Sequence, residues 1–125
     1  MITSTLVTST STTVPSKVFT STTTGAPAGG IVVGQTNAVT TMILCNTAAP
    51  NASDETVNSV SVNIHLVKSG SSYGTNNLVV SNLTVPAGET VFFSEERIVL
   101  DAGDEIWIGT STGSILAVTV STLPV

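Results

Sequence analysis

Charge is what this chain has least of. Only 9% of its 125 residues are Asp, Glu, Lys or Arg, against roughly 25% in an average globular protein. The three basic residues, Lys17, Lys68 and Arg97, stand far apart in a chain of net charge −5. Neutralising phosphates takes clustered Lys and Arg, so nucleic acid is excluded as a partner. Aromatic residues, at 4%, are too few for a base-stacking platform. The single cysteine, Cys45, rules out an intrachain disulfide framework and suits a reducing compartment. No apolar run approaches the 18 or so residues of a membrane span, so no membrane partner is expected. The start, Met1–Thr5, lacks the basic and long apolar regions of a signal peptide, and synthesis in the cytoplasm is expected. Strong helix formers are scarce throughout.

Hydroxyls take the place of charge. Ser and Thr make up roughly three residues in ten, yet 41% of the chain is hydrophobic, which sets it apart from disordered chains of low hydrophobicity and high charge. Threonine is β-branched and suits a pleated strand, whereas serine and threonine are mediocre inside helices. Composition points to β structure, and the length allows one hydrophobic core.

The patterning agrees. Val60, Val62, Ile64 and Leu66 alternate with Ser61, Asn63 and His65, the period of a half-buried strand. Val39–Cys45 is nearly continuous in apolar residues, which predicts a strand buried on both faces with Cys45 in the core. Short strands are expected at Lys17–Thr20, at Leu78–Val85 with a bulge near Asn82, and at Thr90–Phe93. Others are expected at Ile98–Leu100, Ile106–Ile108 and Ile115–Leu123. Pro86-Ala87-Gly88-Glu89 and Asp101-Ala102-Gly103-Asp104 are turns of one design, and residues 25–30 form a Gly/Ala/Pro loop. Seven to nine short strands without a crossover helix predict an all-β fold, an antiparallel β-sandwich of jelly-roll type. Residues 1–24 are low in complexity and read as an extended Ser/Thr-rich N-terminal arm or edge strand ahead of a sandwich at 25–125.

Catalytic and metal sites are not expected, and no cofactor is called for. Gly109-Thr110-Ser111-Thr112-Gly113 spells the G-x-S-x-G of a hydrolase elbow. That chemistry needs a helix after the serine and a histidine further along, whereas a strand follows here and the one histidine, His65, lies upstream. Glu95, Glu96, Asp101, Asp104 and Glu105 form the main carboxylate cluster but spell no calcium loop, and solvated turn charges explain them. Trp107 faces away from Ile106 and Ile108, as core filler or as an interface anchor.

Four segments in order carry a resemblance: Thr41–Thr47, Val60–Ile64, Leu83–Glu89 and Ile98–Ile106. Together they resemble a family of small β-sandwich virion proteins of tailed bacteriophages, including those of cyanobacteria, over roughly residues 38–123. The resemblance implies a structural component of the virion, with no catalytic residues to carry over. A capsid decoration or cement protein is the leading expectation, with the major capsid protein and copies of itself as partners in a homo-oligomer. A tail, neck or baseplate subunit is the alternative within that class. A carbohydrate-binding sandwich using Trp107, Tyr73 and nearby carboxylates is the alternative outside it. For the contact surface, Leu6, Val7, Thr8, Thr10 and Thr12 of the arm, with Trp107, are the candidates.

Overall fold

The computed structural model describes residues 2–21, 36–94 and 98–124. The loop expected at 25–30 and the carboxylates Glu95 and Glu96 lie outside the described residues. Among the described residues there are nine strands: β1 (Ile2–Leu6), β2 (Ser16–Thr20), β3 (Asn37–Asn46), β4 (Val60–Val67), β5 (Leu78–Val85), β6 (Thr90–Phe93), β7 (Ile98–Leu100), β8 (Glu105–Thr110) and β9 (Leu116–Pro124). They form two antiparallel sheets. One runs β1-β9-β3-β6, with β7 also on β3, and the other runs β2-β8-β4-β5.

The pairing is nested. β1 lies on β9, β2 on β8, β3 on β6 and β7, and β4 on β5. A long hairpin rolled up on itself has this order, and the β9–β3 and β8–β4 pairings complete the two sheets. The result is the jelly-roll sandwich anticipated above. The alternation in the sequence fills its interior: Met42, Leu44, Leu116 and Val118 of one sheet belong to the same buried cluster as Val62, Ile64, Ile106 and Ile108 of the other.

The turns carry out their chemistry. Glu89 N–H donates to the Pro86 carbonyl at 3.1 Å and Asp104 N–H to the Asp101 carbonyl at 3.0 Å. Gly88 and Gly103, with φ of +77° and +87°, occupy the positions where a type II turn requires positive φ. Asn82 also has positive φ, 54°, and accepts no simple ladder partner; its N–H donates instead to Asn63 Oδ1 at 2.7 Å. This is the bulge expected in β5.

Two expectations are corrected. β3 is not buried on both faces: Ile43 and Cys45 point outward and are half-buried, while Met42 and Leu44 fill the core. Of the two readings of the N-terminal segment, arm or edge strand, the arm is the one corrected: residues 2–20 supply edge strands to both sheets, β1 on β9 and β2 on β8. Between them the chain crosses the sandwich end, and hydroxyls satisfy the irregular backbone there. Val7 is fully buried and donates its N–H to the Leu116 carbonyl at 2.9 Å. Ser9 Oγ lies 2.8 Å from the carbonyls of both Ser11 and Val14, and the buried Thr110 hydroxyl donates to the Ser9 carbonyl at 2.7 Å. Gly109 lets the crossing pass close, since a Cβ there would sit 2.5 Å from the Thr12 carbonyl oxygen. Ser and Thr in this stretch do the work of a turn instead of signalling looseness.

At the opposite corner Asn46 holds three segments together. Its buried amide donates to the carbonyls of Asn58 (2.8 Å) and Val85 (2.9 Å) and accepts from Ala48 N–H (3.0 Å). Asn46→Ala removes all three bonds from an interior site. We expect a loss of about 2–3 kcal/mol, seen as a lower urea midpoint with an unchanged m-value.

Candidate contact face

Alternation along the strands of the five-stranded sheet sends one set of side chains to the core and the other to its outer face. Register places the outer set in rows. Ser4, Thr119, Ile43 and Phe92 form one row across β1, β9, β3 and β6, and Leu6, Ala117, Cys45 and Thr90 form the next. Leu123, Ala38 and Val99 make a third near β7. Thr40 and Ser121 sit between, the Thr40 hydroxyl lying 3.0 Å from Ser121 Oγ.

No Asp, Glu, Lys, Arg or His occurs in any of these five strands. Small hydroxyl and methyl groups fill the middle, and large apolar side chains stand at the margins: Ile2 is 71% exposed, Phe92 63%, and Val99 and Leu123 58% each. Four strand positions about 4.8 Å apart, with strands of up to ten residues rising about 3.3 Å each, give a face of roughly 600 Å². That is most of the roughly 800 Å² that each partner contributes to a standard protein interface.

The outer face of the four-stranded sheet differs in kind. Lys17 Nζ lies 3.2 Å from Glu105 Oε2, and Trp107 Nε1 donates to Glu105 Oε1 at 3.2 Å. The loop after β4 folds back over this sheet. Tyr73 packs its ring 5.4 Å from Trp107 and 5.8 Å from His65. His65 is on the outward side of β4, as its alternation requires, but it is buried beneath that loop. Its Nδ1 faces two acceptors, the Gly74 carbonyl at 3.1 Å and Asn77 Oδ1 at 2.9 Å, so Nδ1 carries the proton. Asn77 Oδ1 is fixed as an acceptor by Gly74 N–H, which donates to it at 3.1 Å.

The six candidates named from the sequence do not make one surface. Leu6 is 47% exposed on the five-stranded sheet. Val7 is core and leaves the candidate set, because alternation after the outward Leu6 turns its side chain to the interior. Thr8 and Thr10 are exposed on the crossing segment and Thr12 is half-buried there. The Thr12 carbonyl is engaged by Asn63 Nδ2 at 3.2 Å. Trp107, half-buried, lies on the other sheet. The sequence reading missed Ile2, Ile43, Phe92, Val99, Thr119 and Leu123. For Ile43, Thr119 and Leu123 the signal was available in the two long strands without a charge, Asn37–Asn46 and Leu116–Pro124.

The remaining motifs sit in turns and at strand ends. Gly109 and Thr110 end β8, and the turn passes into β9, a strand and not a helix. Ser111 Oγ accepts from Ser61 N–H at 2.9 Å, and Ser111 N–H donates to the Ser61 carbonyl at 3.0 Å. Asp104 caps backbone, accepting from Ser69 N–H at 2.9 Å and from Asp101 N–H at 3.0 Å. Asp54 accepts from the Thr56 hydroxyl and N–H, which hold its carboxyl below the usual range. Among the described residues, no group of three His, Cys, Asp or Glu side chains is placed to hold a metal ion. Compared with known protein families, curated proteins and solved structures, the chain has no match.

Proposed function

We propose that this chain is a structural subunit of a tailed-phage virion, a decoration or cement protein that seats its five-stranded sheet on the shell built by the major capsid protein. The observation that carries this reading is an uncharged outer sheet face on a chain of net charge −5. Desolvating an unpaired charge costs several kcal/mol, so a face without one can be buried against a neighbour at little penalty. Large exposed apolar patches on small proteins mark contact surfaces. The sequence resemblance points to the same role, and jelly rolls recur among capsid domains. A tail, neck or baseplate position would use the same face.

A second reading draws on Tyr73 and Trp107, which meet on the other sheet with a carboxylate beside them. Lectins also use jelly rolls, and saturable binding to an immobilised glycan, lost in Tyr73→Ala, would favour a carbohydrate module. Glu105 is already engaged by Trp107 and Lys17, which leaves that site few free polar groups.

The test uses Thr119→Lys, at the centre of the uncharged face. The variant should keep the parent's circular dichroism and melting, because Thr119 points away from the core. Co-sedimentation with particles stripped of the protein should fall at least about tenfold, as expected when one unpaired charge is buried. Undiminished attachment would overturn the proposed docking face.

A further inference from the structure

Sheet edges invite strand addition, and folded proteins guard them with charge, bulges, proline or brevity. Three of the four edges here are guarded. β2 bears Lys17 and a register shift between Lys17 and Phe19. β5 is broken by register shifts and by Asn82 at positive φ. β6 and β7, four and three residues long, share one edge with a gap between them. β1 has none of these devices. Its five residues, Ile-Thr-Ser-Thr-Leu, hold an unbroken register on β9 with no charge and no proline.

The hydrogen-bond parity of that edge is fixed by Val7, which donates to the Leu116 carbonyl. Residues alternate along an antiparallel ladder, so Thr3 and Thr5 also bond to β9, while Ile2, Ser4 and Leu6 direct N–H and C=O outward. Among the described residues, none of these outward groups has a partner.

We infer that β1 pairs with β1 of a second copy, antiparallel and centred on Ser4, to join two five-stranded sheets into one. In this register Ser4 meets Ser4 of the copy, Ile2 meets Leu6, and Thr3 meets Thr5. Every residue with outward backbone groups then faces another such residue, and each opposite pair is apolar with apolar or hydroxyl with hydroxyl. A two-fold contact needs a surface complementary to itself, and this strand reads nearly the same in both directions. Charge selects the occupant as well: two copies of an acidic chain repel, and this uncharged edge is where they can approach. A basic partner would be drawn to the acidic turns instead. The inference stands on the strand edge and does not depend on the virion role.

A five-residue edge buries less than a standard interface, so dissociation is expected at about micromolar concentrations or above. The test is sedimentation equilibrium and cysteine cross-linking of the full chain in a Cys45→Ser background. Paired residues at hydrogen-bonded positions have Cα atoms about 5.5 Å apart, within disulfide reach. Ser4→Cys should therefore cross-link to itself under mild oxidation. Ile2→Cys and Leu6→Cys should each remain without a cross-link alone and cross-link when mixed. Ser4→Pro, which removes an outward N–H and spares the β9 ladder, should raise the dimer Kd about tenfold or more with melting little changed. Thr119→Lys, one strand inward, should leave the dimer intact, which separates this contact from docking through the face. A monomer at all concentrations, or cross-linking of Ile2→Cys alone as efficient as that of Ser4→Cys, would overturn the inference.

Discussion

Deleting residues 2–13 is expected to leave no folded monomer. The deletion takes away β1, the buried Val7 and the Ser9 contacts with Thr110. Burying a Val side chain is worth about 1.5–3 kcal/mol, and stranding the buried Thr110 hydroxyl costs about 1–3 kcal/mol more. Domains of this kind are stable by only about 5–15 kcal/mol. β9 would also become an edge of nine residues without a charge, a surface prone to aggregation. Expression of the truncated chain should give insoluble protein, or soluble protein lacking a cooperative thermal transition. A truncated chain that melts like the full one would show that the crossing segment contributes nothing to the core.

Ile64→Asp is the second large effect. Ile64 is fully buried in the cluster shared by both sheets. An aspartate there loses the burial of the isoleucine and sets a carboxylate in the interior without a partner, for a cost above about 4 kcal/mol. We expect loss of the near-UV circular dichroism and of the cooperative urea transition at pH 7. Ser61→Asp, on the outward side of the same strand, should cost less than about 1 kcal/mol, since the backbone exchange with Ser111 survives it. Equal damage from both variants would mean that β4 does not present alternate faces to core and surface.

Much of this fold was legible in the chain because its strands obey period two. The runs at Val60, Thr90, Ile98 and Ile106 fell where strands stand, and the Pro-Ala-Gly-Glu and Asp-Ala-Gly-Asp turns fell where glycine must take positive φ. The misreadings have one cause. Thr3–Thr13 left arm and edge strand undecided because it has few apolar residues; threonine and serine there pair as a strand and then hydrogen-bond an irregular crossing. Those interactions depend on Thr110, Leu116 and Asn63, far away in sequence. Val39–Cys45 looked buried on both faces for a related reason: its outward apolar residues, Ile43 and Cys45, belong to a sheet face that carries no charge at all. Apolar content marked that face correctly as a surface that avoids charge. It could not tell the domain's own core from an uncharged outer face of the sheet. Trp107 and Leu6 were placed together as contact residues, and only the pairing of β1 with β9 and of β8 with β4 shows that they stand on opposite sheets.

An electron-microscopy map of the tailed-phage particle on which the proposal places this protein tests the central claim most directly. The proposal predicts a jelly-roll density on the shell with the five-stranded sheet turned toward the neighbouring protein, Thr119 and Ile43 at the centre of the contact and the Tyr73–Trp107 side turned away. A five-stranded sheet facing open solvent, or a particle that lacks the protein, would contradict it.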